Sequence, residues 1–225
     1  MAPAHGPSTL AARALRHEGR LLPNVSLNSR GRYGAICRTR FDGRSLREAA
    51  EYVCDCATGA GETPDDFQGL LTHHTGSIGA KQALLAALAA EVGRKDVQLM
   101  VACCEMQLPE RPAARGDMLL RRPHTLPLAV CWLRFRGRRL QIVDPRHGSL
   151  PSMTLVTEVA VRPEQLAAER ARLYKIFAAD WCRALEILPV EFARLRAWQL
   201  RVSAGTGVFE DLLGYVLPPD YAPTL

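Results

Sequence analysis

The stretch from Ser77 to Val92 constrains the fold more than any other part of the chain. Leu84, Leu85, Leu88 and Val92 fall at helical spacing, and alanine fills most of the positions around them. Ser77 or Thr75 can cap the start, and Gly93 can end the helix. A helix that is apolar on every side has no face to offer to water, so it must lie inside the protein. Asp96 to Cys104 follows, and its VQLMVACC core reads as a central strand. A buried helix feeding a buried strand needs cover on several sides, so the remaining elements must wrap around this pair.

Those elements can be read in outline. Arg32 to Phe41 reads as a strand, and Ser45 to about Ala57 as a helix capped by Ser45. Thr58 to Asp66 contains Gly59, Gly61 and Pro64 and reads as a loop, with a short helical turn near Asp65 to Leu71. Leu108 to Arg122 is rich in Pro and Arg and reads as a second loop. Leu126 to Phe135 and Arg138 to Val143 flank Arg136-Gly137, which reads as a β-hairpin. After Pro163 a helix runs to about Leu185, with Leu166, Leu173, Ile176, Phe177 and Trp181 as its apolar stripe. A last helix spans Val190 to Val202. Helices first, then strands, then helices point to an α+β class. We expect a flexible segment over 1–25, one domain over 26–205 and an irregular tail over 206–225.

Composition narrows the function. The longest apolar run, Ala83 to Ala90, is far short of the roughly 20 residues a membrane span requires. Met1 to Arg20 lacks the apolar core of a secretory signal, so a cytoplasmic protein that does not use a membrane is expected. Seven cysteines without such a signal argue against a disulfide framework. Cys54 and Cys56 are too close for a CxxC site. Cys103 and Cys104, adjacent on a strand, should point to opposite faces. No metal-ligand spacing is present, and neither a metal nor another cofactor is expected. The net charge is +6, and only Lys81, Lys95 and Lys175 of the basic residues are lysine. Arginine forks match carboxylate, phosphate and sulfate, so an acidic partner or an anionic substrate suits this chain. The arginines are scattered along the sequence rather than forming one stripe with interleaved aromatics, which argues against nucleic acid.

Four segments carry a resemblance. The helix begins Ile78-Gly79-Ala80-Lys81-Gln82 and continues Ala83-Leu84-Leu85-Ala86-Ala87-Leu88. The hairpin supplies Pro127-Leu128-Ala129-Val130-Cys131-Trp132-Leu133 and then Gly137-Arg138-Arg139-Leu140-Gln141. Downstream stand Glu158 to Gln165, followed by Lys175 and Trp181. In this order, over residues 45–185, the chain resembles a bacterial branch of the transglutaminase-like superfamily. That resemblance implies a papain-like α+β fold with a central buried helix on an antiparallel sheet. It also implies a nucleophilic Cys at the helix start, a His base on one strand and an orienting Asp on the next. Here those positions hold Ile78, Val130 and Gln141, with Asp144 as the alternative for the last. A branched hydrocarbon cannot attack a carbonyl and Val cannot take a proton, so the thiol chemistry of the superfamily is not expected.

What could stand in for it is a set of polar residues near the same place. Asp144, His124 and His74 are the candidate acid–base groups. Lys81, Ser77, Gly79, Arg146 and His147 are the candidates for holding a substrate or an anion, because free amides at a helix start and nearby cations favour negative charge. Each has a plainer reading: Asp144 as an Asp-Pro turn, the histidines as loop residues, Lys81 as a salt-bridged side chain, Ser77 as a cap. Cys103 or Cys104 could serve as a relocated nucleophile, although a buried structural thiol is the simpler account. The expected function is therefore a repurposed, non-thiol enzyme of bacterial biosynthesis. It would act on a small anionic substrate, free or presented by an acidic carrier protein or a partner subunit, for example by ring closure with loss of an anionic group. The alternative is a catalytically inactive relative that binds or scaffolds a partner through its basic surface.

Overall fold

The structure, a computed structural model, describes residues 18–28, 34–58, 67–107, 125–142, 153–186, 188 and 192. After a helical piece at 18–21, the elements run as follows. α1 (Gly34–Ile36) passes directly into a π-helical turn (Cys37–Phe41), then come α2 (Leu46–Asp55), β1 (Ala57–Thr58), α3 (Phe67–His73), β2 (Thr75–Gly76) and α4 (Ile78–Glu91). β3 (Val97–Gln107), β4 (Thr125–Phe135), β5 (Arg138–Leu140), β6 (Met153–Val161), a 3-10 turn (Pro163–Gln165) and α5 (Leu166–Ala184) complete them. Helices thus combine with an antiparallel sheet of order β5-β4-β3-β6, while β1 and β2 form a small parallel pair.

The central helix is as the apolar pattern requires. Every residue of α4 except Ala90 is buried, and Ser77 Oγ accepts from Ala80 N at 2.8 Å to cap its start. Gly93, with φ of +72°, ends it in the left-handed conformation that glycine adopts without a Cβ penalty. α2 carries a full capping box: Ser45 Oγ accepts from Glu48 N, and Glu48 Oε2 accepts from Ser45 N at 2.6 Å. β3 is buried on both faces. Val97, Leu99 and Val101 join the core beneath α4. Met100, Ala102, Cys104 and Met106 join the core beneath α5. The strand continues to Gln107, past the Cys103–Cys104 end expected from sequence, with a bulge between those two cysteines where it pairs with β6. The β4–β5 turn is Arg136-Gly137, at φ of +50° and +74°, the two-residue hairpin geometry whose twist matches its strands.

Three expectations need correction. Arg32 to Phe41 does not form a strand: from Gly34 onward it is helical. Ile36 and Phe41, five apart, are buried, Arg38 to Arg40 between them are exposed, and Thr39 Oγ1 donates back to Ala35 O at 2.7 Å. Burial there follows a wide helical turn rather than the alternation of a strand. Glu158 to Val161, which the resemblance aligns with a helix start, ends β6, whose run of Thr and Val suits a pleated edge; the helical course starts at Pro163. The stripe on α5 is also shifted. Ile176 is 50% exposed, and the buried line is Leu166, Arg170, Tyr174, Ala178, Trp181 and Cys182. Arg170 fits there because its Nε donates to Ala129 O on β4. The expected loop over Leu108–Arg122 and almost all of the helix over Val190–Val202 lie outside the described residues. No helix among the described residues is long and apolar enough to cross a membrane.

Candidate functional site

The start of α4 is set by close packing. A Cβ on Gly76 would stand 2.7 Å from Leu70 Cδ1, so any larger residue there would require the Leu70 side chain of α3 to shift. The chain then turns through Ser77 into Ile78. Ile78 is 7% exposed and belongs to the same buried apolar cluster as Met100, Leu128, Val130 and Trp132. Val130 is 2% exposed. The positions that the resemblance assigns to a nucleophile and a base are thus closed by hydrocarbon. Gln141 lies just beyond β5, where its backbone N–H donates to Glu18 Oε2 at 2.6 Å. Burial raises the Glu18 carboxyl above its usual range, and that N–H bond opposes the rise.

The polar residues of the helix start turn inward to hold the fold. Lys81 is fully buried, and its Nζ donates to Cys56 O and to Thr58 Oγ1, each at 2.7 Å. It therefore ties α4 to the end of α2 and to β1. Gln82, also fully buried, pairs with Ile142 in both directions: Nε2 donates to Ile142 O at 2.7 Å, and Ile142 N donates to Oε1 at 3.4 Å. That pair clamps the segment after β5 onto the central helix. Ser77 is engaged as a cap, and Gly79 is buried beside it. Sequence reading singled out Lys81 and missed Gln82, although the signal was there: two polar residues side by side in a helix that is otherwise apolar on all sides.

Of the acid–base candidates, His74 is described; Asp144, His124, Arg146 and His147 lie outside the described residues. His74 is exposed and sits at φ of +53°, held by its own N–H to Leu70 O and its carbonyl to Ala57 N. Arg40 Nη2 approaches its Nε2 at 3.1 Å, and Tyr52 Oη lies 3.0 Å from its Nδ1. A guanidinium can only donate, so Nε2 accepts and Nδ1–H donates to Tyr52. Arg40, His74 and Tyr52 therefore form a chain of donors. Burial outweighs the lowering influence of Tyr52 and of the Lys81 charge, and pushes the Cys56 thiol up from its ordinary value. Cys103 and Cys104 are also buried, and desolvation pushes both thiols up to about 11, which is the reverse of what an attacking thiol needs at neutral pH. Among the described residues no group of three or more His, Cys, Asp or Glu side chains could hold a metal ion. A cavity of about 160 Å³, lined by Gly19, Arg20, Ala50, Glu51, Cys54 and Asp55, contains none of the candidate residues.

The arginines that look scattered in the sequence are not all scattered in space. Val97 pairs with Phe135, which brings the turn carrying Arg94 and Lys95 beside the β4–β5 hairpin carrying Arg134, Arg136, Arg138 and Arg139. The guanidinium of Arg94 lies 5.9 Å and that of Arg136 5.2 Å from the Phe135 ring centre, and that of Arg139 lies 4.8 Å from the Trp132 ring. Arg94 makes a two-pronged pair with Asp96, Nε to Oδ1 at 2.8 Å and Nη2 to Oδ2 at 2.6 Å; Arg134 pairs with Glu158. The chain matches no protein-family model, no curated protein and no solved structure.

Proposed function

We propose that this chain is a transglutaminase-like protein whose catalytic centre is closed and which works by binding an acidic partner rather than by bond-making. One observation carries the reading: Ile78 and Val130, at the two positions where thiol and imidazole would have to stand, share one buried apolar cluster. An acyl transfer centre needs a nucleophile, a base within hydrogen-bond reach and a gap for the scissile group. Neither side chain can take either role, and both are buried. The polar neighbours on α4, Lys81 and Gln82, bond the protein's own backbone. To test it, the protein is incubated with a glutamine-containing peptide and a fluorescent primary amine, and the chain is examined by mass spectrometry for a hydroxylamine-sensitive acyl adduct. The expected result is neither amine incorporation nor adduct; a thioester on any cysteine would overturn the reading.

The donor chain from Arg40 through His74 to Tyr52 favours one second reading, an enzyme that uses His74, with Asp144 or His124, on a small anionic substrate. In that case Ser77, Gly79, Lys81, Arg146 and His147 would hold the anion. A crystal soaked in sulfate decides between the two. An ordered sulfate at the α4 start would favour the enzyme, and an unoccupied helix start would favour binding.

A further inference from the structure

We infer that the arginine-rich end of the sheet, built by Arg94, Lys95, Arg134, Arg136, Arg138 and Arg139, is the docking surface for an acidic polypeptide segment. The inference rests on the binding reading above and gives it a place and a partner class. Six cations stand at this end. Among the described residues two carboxylates, Asp96 and Glu158, meet them. Among these groups the excess is four positive charges, in a chain whose whole net charge is +6. Lys95, Arg136, Arg138 and Arg139 are exposed.

Three features choose an acidic polypeptide over other anions. The surface already shows how it engages carboxylates: Arg94 grips Asp96 with two parallel bonds, and Arg134 and Arg139 converge on Glu158. A nucleic acid would gain from exposed rings on which bases stack, but Phe135 and Trp132 are each only 5% exposed, with guanidinium groups against their rings. A membrane surface would need apolar side chains beside the cations to enter the lipid. Among the described residues the exposed large apolar side chains, Val156, Ile176, Leu185 and Leu188, lie on β6, on α5 and beyond it, and none lies on the hairpin. The guanidinium–ring contacts also hold Arg94, Arg136 and Arg139 in place before a partner arrives, which lowers the ordering cost of binding.

The experiment titrates the full chain with a fluorescein-labelled polyglutamate peptide at low salt and follows anisotropy. Parallel titrations use a single-stranded oligonucleotide of equal charge and phosphatidylserine vesicles. Polyglutamate should bind, and the double variant Arg136→Glu/Arg138→Glu should weaken it about tenfold or more. A charge-matched variant elsewhere, Arg172→Glu/Arg183→Glu on the exposed side of α5, should weaken it far less. The surface is wrong if the hairpin variant binds like wild type, or if both variants lose affinity equally, because the attraction is then diffuse. The partner class is wrong if the oligonucleotide or the vesicles bind more tightly than polyglutamate. An acyl adduct in the assay above would sink the binding reading and leave this titration interpretable by itself.

Discussion

β4 carries two regions that share a strand and differ in almost everything else. At its middle, Val130 sits in hydrocarbon with Ile78, and the nearest polar side chains on α4 point into the fold and bond its backbone. At its end, beyond the buried Phe135, the hairpin carries the charges of Arg136, Arg138 and Arg139 into solvent. In the first region a change should register as stability and leave binding alone. In the second it should register as binding and leave stability nearly alone. The difference teaches that a buried polar residue and an exposed one of the same charge answer to different terms: desolvation with its obligatory partners in one case, screened attraction in the other.

The sharpest way to break this contrast is at Lys81. Replacing it with Ala leaves Cys56 O and Thr58 Oγ1 without their donor and opens a cavity at a fully buried position. The expected cost is about 3 kcal/mol or more, read as a fall in the urea midpoint at unchanged slope. A loss below about 1 kcal/mol would mean that Lys81 is kept for a ligand rather than for the fold. Gln82→Leu should follow at about 2 kcal/mol, because Ile142 then keeps both of its backbone groups but has no side chain to pair them. Neither variant should change polyglutamate affinity, since both residues are fully buried in α4 and bond elements other than the hairpin tip.

Much of the buried region was legible in the residues. The run around Leu84 to Leu88 has no polar face, and a helix of that kind has one place to go. The hairpin was legible because Arg136-Gly137 separates two strand-like runs at the spacing a two-residue turn needs. β6 was not, because its Thr and Val acquire meaning only once β3 is there to pair with them. The stripe on α5 went astray over Arg170, a charged residue that is buried because it meets the Ala129 carbonyl from another element. The charged region fared worst. Arg94 and Arg136 are 42 positions apart in the chain, and what unites them is the pairing of Val97 with Phe135. A count along the sequence sees scattered arginines; the register makes a patch of them.

The thiols give a pH test of the same contrast. Cys103, Cys104 and Cys182 are buried, and desolvation pushes each up to about 11. These groups prefer to stay protonated in the fold, so the stability they lend is complete below the unfolded thiol value near 9.0 and is lost as pH rises through about 11. Thermal midpoints should therefore hold steady from neutral pH up to about 9 and fall above it. Iodoacetamide at neutral pH should leave these three thiols unmodified until the protein unfolds. Rapid labelling of Cys103 or Cys104 in the folded protein would reopen the case for a relocated nucleophile.

The smallest effect lies at the charged end, and it couples the two readouts. The Asp96 carboxyl is held below its ordinary value, first by its bonds to Arg94 and more weakly by Arg136. Its depressed value means that the pair contributes stability above the unfolded value near 3.8 and loses it as pH falls through the folded value. Both partners are solvent-screened, so Asp96→Asn should lower the thermal midpoint only slightly at neutral pH, and the gap should close in acid and in high salt. In binding the sign reverses. Asp96 competes with any incoming carboxylate for the Arg94 fork, so its removal frees that fork and raises the local positive charge. Polyglutamate affinity should then rise, by about two- to threefold. A substitution that costs a little stability and improves binding is what a surface built for a partner's carboxylates requires. If Asp96→Asn weakened binding instead, Asp96 would be holding Arg94 in its working position rather than occupying it.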